Sequence, residues 1–108
     1  MSEQEDAQEK MMELQQVQSQ MQQVTVQKEE TSSEINGIEK SLDELEKEES
    51  GAVYRSIGNI LVERDRDDLQ DELEDRLEDL EVRQKGLERK EEKLQEKFKE
   101  IQESFSAL

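Results

Sequence analysis

An acidic segment in the second half of the chain, DRDDLQDELEDRLE at residues 65–78, is the first candidate for chemistry, because closely spaced carboxylates can bind calcium. A calcium loop needs an oxygen ligand at its fifth position and glycine at its sixth, where the backbone turns sharply. This segment has Leu69 and Gln70 at those positions. We therefore interpret it as the solvated acidic face of a helix and expect no metal site.

The sequence lacks the usual arrangements of catalytic residues. The chain has no histidine and no cysteine, which excludes nucleophilic Cys/His catalysis and metal sites that use soft or imidazole ligands. Its four glycines, Gly37, Gly51, Gly58 and Gly86, lie singly, so no glycine-rich loop is available to hold a phosphate. Nothing in the sequence indicates a pocket in which carboxylates could act as acid or base. We predict a protein that is not an enzyme and uses no cofactor.

The composition and charge of the chain limit its architecture and partners. With 108 residues, of which 30% are hydrophobic and 43% charged, it must bury narrow apolar stripes or stay disordered. A net charge of −16 argues against binding to nucleic acid. No run approaches the roughly 20 apolar residues of a membrane span, and MSEQEDAQEK lacks the features of a signal peptide. We expect a cytoplasmic protein that binds no membrane.

The first half of the chain carries a heptad repeat. From Ala7 onward, steps of three and four residues alternate strictly, and nine of the twelve positions are apolar. Such spacing keeps one stripe of a helix, here called the seam, facing a partner helix in a left-handed coiled coil. The twelve positions are Ala7, Lys10, Leu14, Val17, Met21, Val24, Lys28, Thr31, Ile35, Ile38, Leu42 and Leu45.

The second half of the chain carries another seam with the same spacing, and Leu69 lies just off its phase. Two of its positions, Gln84 and Glu91, interrupt the apolar series with polar residues. The series consists of Leu73, Leu77, Leu80, Gln84, Leu87, Glu91, Leu94, Phe98, Ile101, Phe105 and Leu108. A second coiled-coil helix is therefore predicted.

The two repeats have equal length, at residues 7–47 and 68–108, so each helix would extend roughly 60 Å at 1.5 Å per residue. Equal helices joined by a short connector favour an antiparallel hairpin over the alternative, in which each helix pairs in parallel with other copies. The hairpin would place Lys28 and Thr31 level with Gln84. A polar layer in the middle of a seam fixes its register at some cost in stability, which also favours the hairpin.

A short stretch between the repeats predicts a β-hairpin. Runs rich in apolar and β-branched residues at 52–57 and 60–64 flank Gly58-Asn59, a dipeptide typical of two-residue turns. The pairing would set Ile57 opposite Ile60 and leave apolar side chains on both faces. Because an isolated two-stranded sheet is marginal in water, other subunits must complete it. The residues expected to hold this oligomer together are Val53, Tyr54, Ile57, Ile60, Leu61 and Val62.

Helix-ending and helix-starting residues flank the same stretch. Gly51 is suited to end the first helix in a left-handed conformation, and Asp67, with Gln70 three residues later, predicts the cap of the second. The expected fold is mainly α, a long antiparallel coiled-coil hairpin whose two helices are joined by a single β-hairpin. Its expected parts are an N-terminal helix at 1–50, a β-hairpin oligomerisation element at 51–66 and a C-terminal helix at 67–108.

The junction AVYRSIGNILVERDRDDLQDEL, at residues 52–73 between the two heptad arms, resembles the beta-type subunits of prefoldin, most of all the archaeal ones. The resemblance covers essentially the whole chain. The heptad arms are weak evidence for the family, because any coiled coil could supply them. The segment VYRSIGNILVERD followed by an acidic helix start is more specific to it. Alpha-type subunits carry two hairpins at this point, and this chain has room for one. The density of acidic residues further resembles that of proteins from salt-loving archaea, in which high salt screens self-repulsion.

The resemblance implies an assembly and an activity. The expected assembly is a hexamer of two alpha-type and four beta-type subunits, in which the hairpins form an intersubunit β-barrel from which six coiled coils extend. The expected activity is that of a molecular chaperone, which holds unfolded polypeptides between the coiled-coil tips without ATP and delivers them to a group II chaperonin.

Apolar residues near the two chain ends are candidates for binding unfolded polypeptides. Methionine adapts to varied apolar surfaces, and the adjacent Met11 and Met12 cannot both face one seam. The candidate residues are Met11, Met12, Leu14, Met21, Phe98, Ile101, Phe105 and Leu108. Several of them are also seam residues. The alternative function, a structural coiled-coil scaffold or tether without clients, therefore stays open.

Overall fold

A computed structural model describes residues 2–48 and 52–107, so the helix end expected at Gly51 lies outside the described residues. Two long helices dominate the chain, α1 (Glu3–Lys47) and α2 (Arg66–Ser106). Between them lies an antiparallel hairpin of β1 (Val53–Ile57) and β2 (Ile60–Arg64). The predicted fold class, two long helices joined by a single β-hairpin, is confirmed.

Each helix begins at a side chain that caps it. Ser2 Oγ accepts a hydrogen bond from the backbone amide of Glu5 at 3.2 Å. Asp65 Oδ1 accepts one from the amide of Asp68 at 3.0 Å. These amides have no partner inside the helix, so the side chains stabilise both helix starts. The prediction of Asp67 as the cap of α2 is wrong, because the chain is already helical at that residue and the Asp65 carboxylate reaches the free amide.

The β-hairpin has the predicted register, with Ile57 opposite Ile60 across a two-residue turn. Gly58 has a φ of +58°, whereas Asn59 has no positive φ. This sign pattern is that of a type II′ turn, whose twist matches the twist of paired strands. Glycine adopts this φ without the steric penalty that a side chain would add, so the sequence Gly-Asn fixes the turn and, with it, the register.

The predicted seam of α1 is confirmed by burial. One row of the seam is buried, and its members recur every seven residues at Val17, Val24, Thr31, Ile38 and Leu45. In α2 the corresponding row is Leu80, Leu87, Leu94 and Ile101. The other seam row is half-buried, for example at Leu14, Met21, Phe98 and Phe105. One side of the seam is therefore closed, and the other is partly open to solvent.

Leu69 is also buried, with 7% of its surface exposed, although it lies off the heptad phase. Leu69 and Leu80 are eleven residues apart, and three turns of an α-helix take 10.8 residues. Both side chains therefore lie on the same side of α2. Leu69 is thus off the heptad phase, as predicted, and its eleven-residue spacing from Leu80 explains why it is nevertheless buried.

Contacts divide the chain into two compact units, which are described separately. The terminal unit comprises Met1–Glu30 and Gln84–Leu108, and the hairpin unit comprises Thr31–Arg83. The core of the terminal unit consists of Val17, Val24, Leu87, Leu94 and Ile101, with Leu14, Met21 and Phe98 packed against it. Complete burial of such a side chain stabilises a fold by roughly 1.5–3 kcal/mol, so a narrow seam suffices to hold the helices together.

In the hairpin unit, polar bonds join the helices in antiparallel order. Arg76 Nη2 donates to Glu34 Oε1 at 2.9 Å, and Arg66 Nε donates to the carbonyl oxygen of Leu45 at 2.7 Å. Residue numbers thus rise along α1 as they fall along α2. The same carbonyl oxygen of Leu45 accepts a hydrogen bond from the Glu48 amide at 3.3 Å, so Arg66 adds a second hydrogen bond at the end of α1.

Candidate functional site

The hairpin presents apolar side chains to solvent on both of its faces. Tyr54 and Leu61 lie on one face, and Ile57 and Ile60 lie on the other. In the single chain these four side chains are between 52% and 71% exposed. The sheet has two strands within the described residues, so its outer edges carry backbone groups without a strand partner. An apolar sheet with open edges favours association with further strands.

The other two residues predicted for oligomerisation, Val53 and Val62, are half-buried. They share a face of the hairpin with Arg55 and Arg64, and both arginines pair with Glu72 of α2. Arg55 Nη1 lies 3.3 Å from Glu72 Oε2, and Arg64 donates a hydrogen bond to Glu72 Oε1. The Arg64 hydrogen bond lowers the pKa of Glu72, against a smaller opposing effect of desolvation. Glu72 thus holds one face of the hairpin against α2.

The ion pairs of Glu72 with Arg55 and Arg64, here called the clamp, are expected to make the stability of the fold depend on pH. Because its pKa is lowered in the folded chain, the ionised carboxylate stabilises the fold fully above the ordinary value of 4.5, and this contribution is lost as the pH falls through the lowered value. Urea unfolding of the wild type and of Glu72→Gln should therefore differ at pH 7 and converge below pH 4.5. A difference that stays constant across this range would contradict the clamp.

In the terminal unit, the predicted client-binding residues have different exposures. Met11 and Met12 are 50% and 69% exposed. Ile101 is buried in the core, with 7% of its surface exposed. Leu14, Met21, Phe98 and Phe105 belong to the half-buried row of the seam, whereas Leu108 lies outside the described residues, as does Met1. Among the described members of the predicted set, the two adjacent methionines are thus the exposed ones.

A groove lies on the partly open side of the terminal unit, with a volume of about 710 Å³. Its lining residues are Gln18, Met21, Gln22, Thr25, Val26, Glu29 and Phe98. Sequence reasoning missed Val26, which is 51% exposed. The sequence could have indicated this exposure, because Val26 lies two residues after the buried Val24 and therefore on a different side of the helix.

A polar layer crosses the seam of the terminal unit. Gln84 Nε2 donates to the carbonyl oxygen of Lys28 at 3.2 Å, so Lys28 and Gln84 lie level, as predicted. The Lys28 ammonium forms an ion pair with Glu91 at 3.0 Å, a partner that sequence reasoning missed. Gln84 Oε1 is buried and accepts no hydrogen bond from the described residues. The layer therefore fixes the register of the helices and also carries a cost in stability.

The Lys28–Glu91 pair is expected to show measurable coupling. A double-mutant cycle with Lys28→Gln and Glu91→Gln should give about 0.5–1 kcal/mol in urea unfolding, because the side chains are 27% and 26% exposed and the pair spans two helices. The matched control is Glu44 and Lys47, which are 76% and 72% exposed and should give a coupling near zero. Equal coupling in both cycles would contradict a specific role for Lys28 and Glu91.

Two further properties concern the described chain as a whole. Neither helix within residues 2–48 and 52–107 is long and apolar enough to cross a membrane. The same residues contain no group of three or more Asp and Glu side chains arranged to hold a metal ion.

The fold and its exposed surfaces define a class of protein in which two long helices are joined by one β-hairpin, with apolar side chains exposed on the hairpin and at Met11 and Met12. The profile of the prefoldin subunit family matches residues 8–108, and the chain belongs to this family. Prefoldin subunits are chaperone subunits rather than enzymes, in agreement with the expected lack of catalysis.

Individual relatives support the resemblance to beta-type subunits. The prefoldin subunit beta of Methanopyrus kandleri is 39% identical over 71 residues, which cover 65% of this chain and 59% of that protein. The match thus spans less than two thirds of that relative's length. The crystal structure of the prefoldin beta subunit from Thermococcus strain KS-1 superimposes with a TM-score of 0.84 at 35% identity, covering 94% of this chain and 90% of that chain. The similarity to archaeal prefoldin beta subunits is confirmed.

Proposed function

We propose that the chain is a subunit of a hexameric, ATP-independent chaperone that captures unfolded polypeptides between coiled-coil tips and delivers them to a group II chaperonin. The hexamer contains two alpha-type and four beta-type subunits and works in the cytoplasm without a cofactor. The observation that carries the proposal is the exposure of apolar side chains both on the hairpin and at Met11 and Met12, in a chain that is 43% charged. The hairpin serves assembly, and the chain ends serve capture.

Assembly uses the hairpin as the contact between subunits. Strands of neighbouring subunits extend the two-stranded sheet and close an intersubunit β-barrel, which supplies partners for the edge backbone groups. Burial of an exposed apolar side chain contributes roughly 1.5–3 kcal/mol when it is complete. The contact residues are Val53, Tyr54, Ile57, Ile60, Leu61 and Val62, within an oligomerisation element at 51–66 that separates the helical arms at 1–50 and 67–108.

Capture begins at Met11 and Met12, whose flexible thioether side chains fit varied apolar segments. The other members of the set are Leu14, Met21, Phe98, Ile101, Phe105 and Leu108. These seam residues become accessible to a client when the ends of the two helices separate. Terminal helical turns lack part of their backbone hydrogen bonds, so such opening requires little free energy.

The burial of Ile101 favours a second candidate function, a structural scaffold or tether without clients. Ile101 is 7% exposed and packed in the core of the terminal unit, so holding the helices together is enough to explain its presence. Met11 and Met12 are exposed, so they do not hold the helices together, and a scaffold would have no use for them. The two candidates therefore differ in whether the assembled protein binds non-native polypeptide.

Co-expression with the alpha-type subunit of the same organism tests the proposed function. Native mass spectrometry should show a hexamer with four copies of this chain, and the complex should suppress the aggregation of a chemically denatured protein without ATP. A hexamer that leaves aggregation unchanged would support the scaffold. Absence of any complex with the alpha-type subunit would contradict the proposed assembly.

A further inference from the structure

One segment of α1 lacks charge entirely. Residues 14–27 contain no Asp, Glu, Lys or Arg, although 43% of the whole chain is charged. Seven of these fourteen residues are glutamine. Charged residues resume on both sides, at Glu13 and Lys28. A partner can therefore contact this neutral, amide-rich segment without desolvating an ion.

The groove of about 710 Å³ in the terminal unit lies along this neutral segment. Met21 and Phe98 form its half-buried apolar part, and Val26 adds an apolar side chain that is 51% exposed. Gln18 and Gln22 line the same groove and are exposed. The groove therefore combines apolar surface with amide groups that face solvent.

This combination matches the chemistry of an extended polypeptide. Each glutamine amide both donates and accepts hydrogen bonds, and an unfolded backbone offers an N–H and a C=O at nearly every residue. The apolar part of the groove accommodates apolar side chains, and because Glu29 is the one charged residue among its lining residues, binding there desolvates few ions. Glu29 lies at the groove, and the chain carries a net charge of −16, so basic residues beside the bound segment are attracted.

We propose that the groove lined by Gln18, Gln22 and Val26 binds an extended segment of non-native polypeptide whose apolar side chains are flanked by lysine or arginine. The proposal rests on the proposed chaperone function and adds to it a binding place and a client preference. The glutamines bind the backbone, which makes binding tolerant of sequence. The apolar part of the groove and the acidic surroundings select which segments bind.

Fluorescence anisotropy with the assembled complex tests the proposal. The probes are two labelled fourteen-residue peptides that share an apolar core and carry either lysines or glutamates at both ends. We expect the lysine-flanked peptide to bind at least about tenfold more tightly at low salt. We expect Gln18→Ala with Gln22→Ala to weaken binding about tenfold, because two hydrogen bonds are lost.

The matched control is Gln15→Ala with Gln16→Ala, which changes the same residue type in the same helix at exposed positions that do not line the groove. It should leave peptide affinity within about twofold of the wild type. Equal effects of the two double variants, or equal affinity for the two peptides, would overturn the proposal. If the wild-type complex suppresses aggregation and the groove variant binds peptide as tightly as the wild type, the groove is refuted but the chaperone function is not. A complex that neither suppresses aggregation nor binds peptide would refute the proposed function as well.

Discussion

A chain carrying Ile60→Asp and Leu61→Asp is expected to form both helices but to stay out of the hexamer when it is expressed with the alpha-type subunit. The two side chains are 61% and 71% exposed in the single chain, so the change leaves the packing within the subunit intact. In the assembly, the new carboxylates would have to enter apolar contacts. An unpaired buried carboxylate destabilises a contact by roughly 3–5 kcal/mol, which corresponds to more than a hundredfold loss of affinity.

Light scattering after size-exclusion chromatography, together with circular dichroism, measures this result. The variant should elute as a helical chain of 12.7 kDa, apart from any alpha-type oligomer. The matched control is Val82→Asp, which places the same charge at a residue that is 67% exposed and outside the hairpin. The control should enter the hexamer. Recovery of an intact hexamer with the double variant would show that the hairpin is not the assembly element.

The second large effect is expected at the chain ends. Replacing Met11, Met12 and Phe105 by glutamine should leave the hexamer intact and raise the amount of complex needed to suppress aggregation by at least about tenfold. Both methionines are exposed and Phe105 is half-buried, so the subunit core at Val17 and Leu94 is unchanged. Each lost apolar contact weakens client binding by roughly 1 kcal/mol, and the three losses act on one bound client.

Val82→Gln is the matched control for this experiment, since it removes an exposed apolar side chain from the hairpin unit. Suppression of aggregation by the control should equal that by the wild type. If the triple variant suppresses aggregation as well as the wild type, these three residues near the chain ends do not bind the client. A triple variant that no longer assembles would show instead that these residues are structural.

The seam and the turn could be predicted from the sequence because each depends on local spacing. The strict alternation of three and four residues places Val17 and Val24 on one side of α1, whatever the partner helix is. Gly58 followed by Asn59 fixes a two-residue turn, and that turn fixes the register of the strands.

The polar partners could not be predicted in the same way. The seam pattern gives the level of Lys28 beside Gln84, but the long Lys28 side chain reaches along the helix and forms its ion pair with Glu91. The position of the hairpin relative to α2 within the hairpin unit depends on Arg55 and Glu72, which are seventeen residues apart. Nothing in the spacing of strand residues specifies that contact.

The cap of α2 and the groove in the terminal unit show a further limit. Several acidic residues cluster at the start of α2, and any of them has the chemistry of a cap, so the choice of Asp65 depends on where the strand ends. The exposure of Val26 follows from its phase, but the groove beside it needs Phe98 from the other helix. A single repeat pattern contains no information on that pairing of side chains.

Site-specific photo-cross-linking tests the central claim most directly. A photoreactive amino acid is placed at residue 12 or at residue 82 of the assembled complex, which is then mixed with a chemically denatured client. Both positions are exposed, at 69% and 67%, so accessibility is matched. The account predicts covalent adducts with the client from residue 12 and none from residue 82. Adducts in equal yield from both positions, or from residue 82 alone, would contradict it.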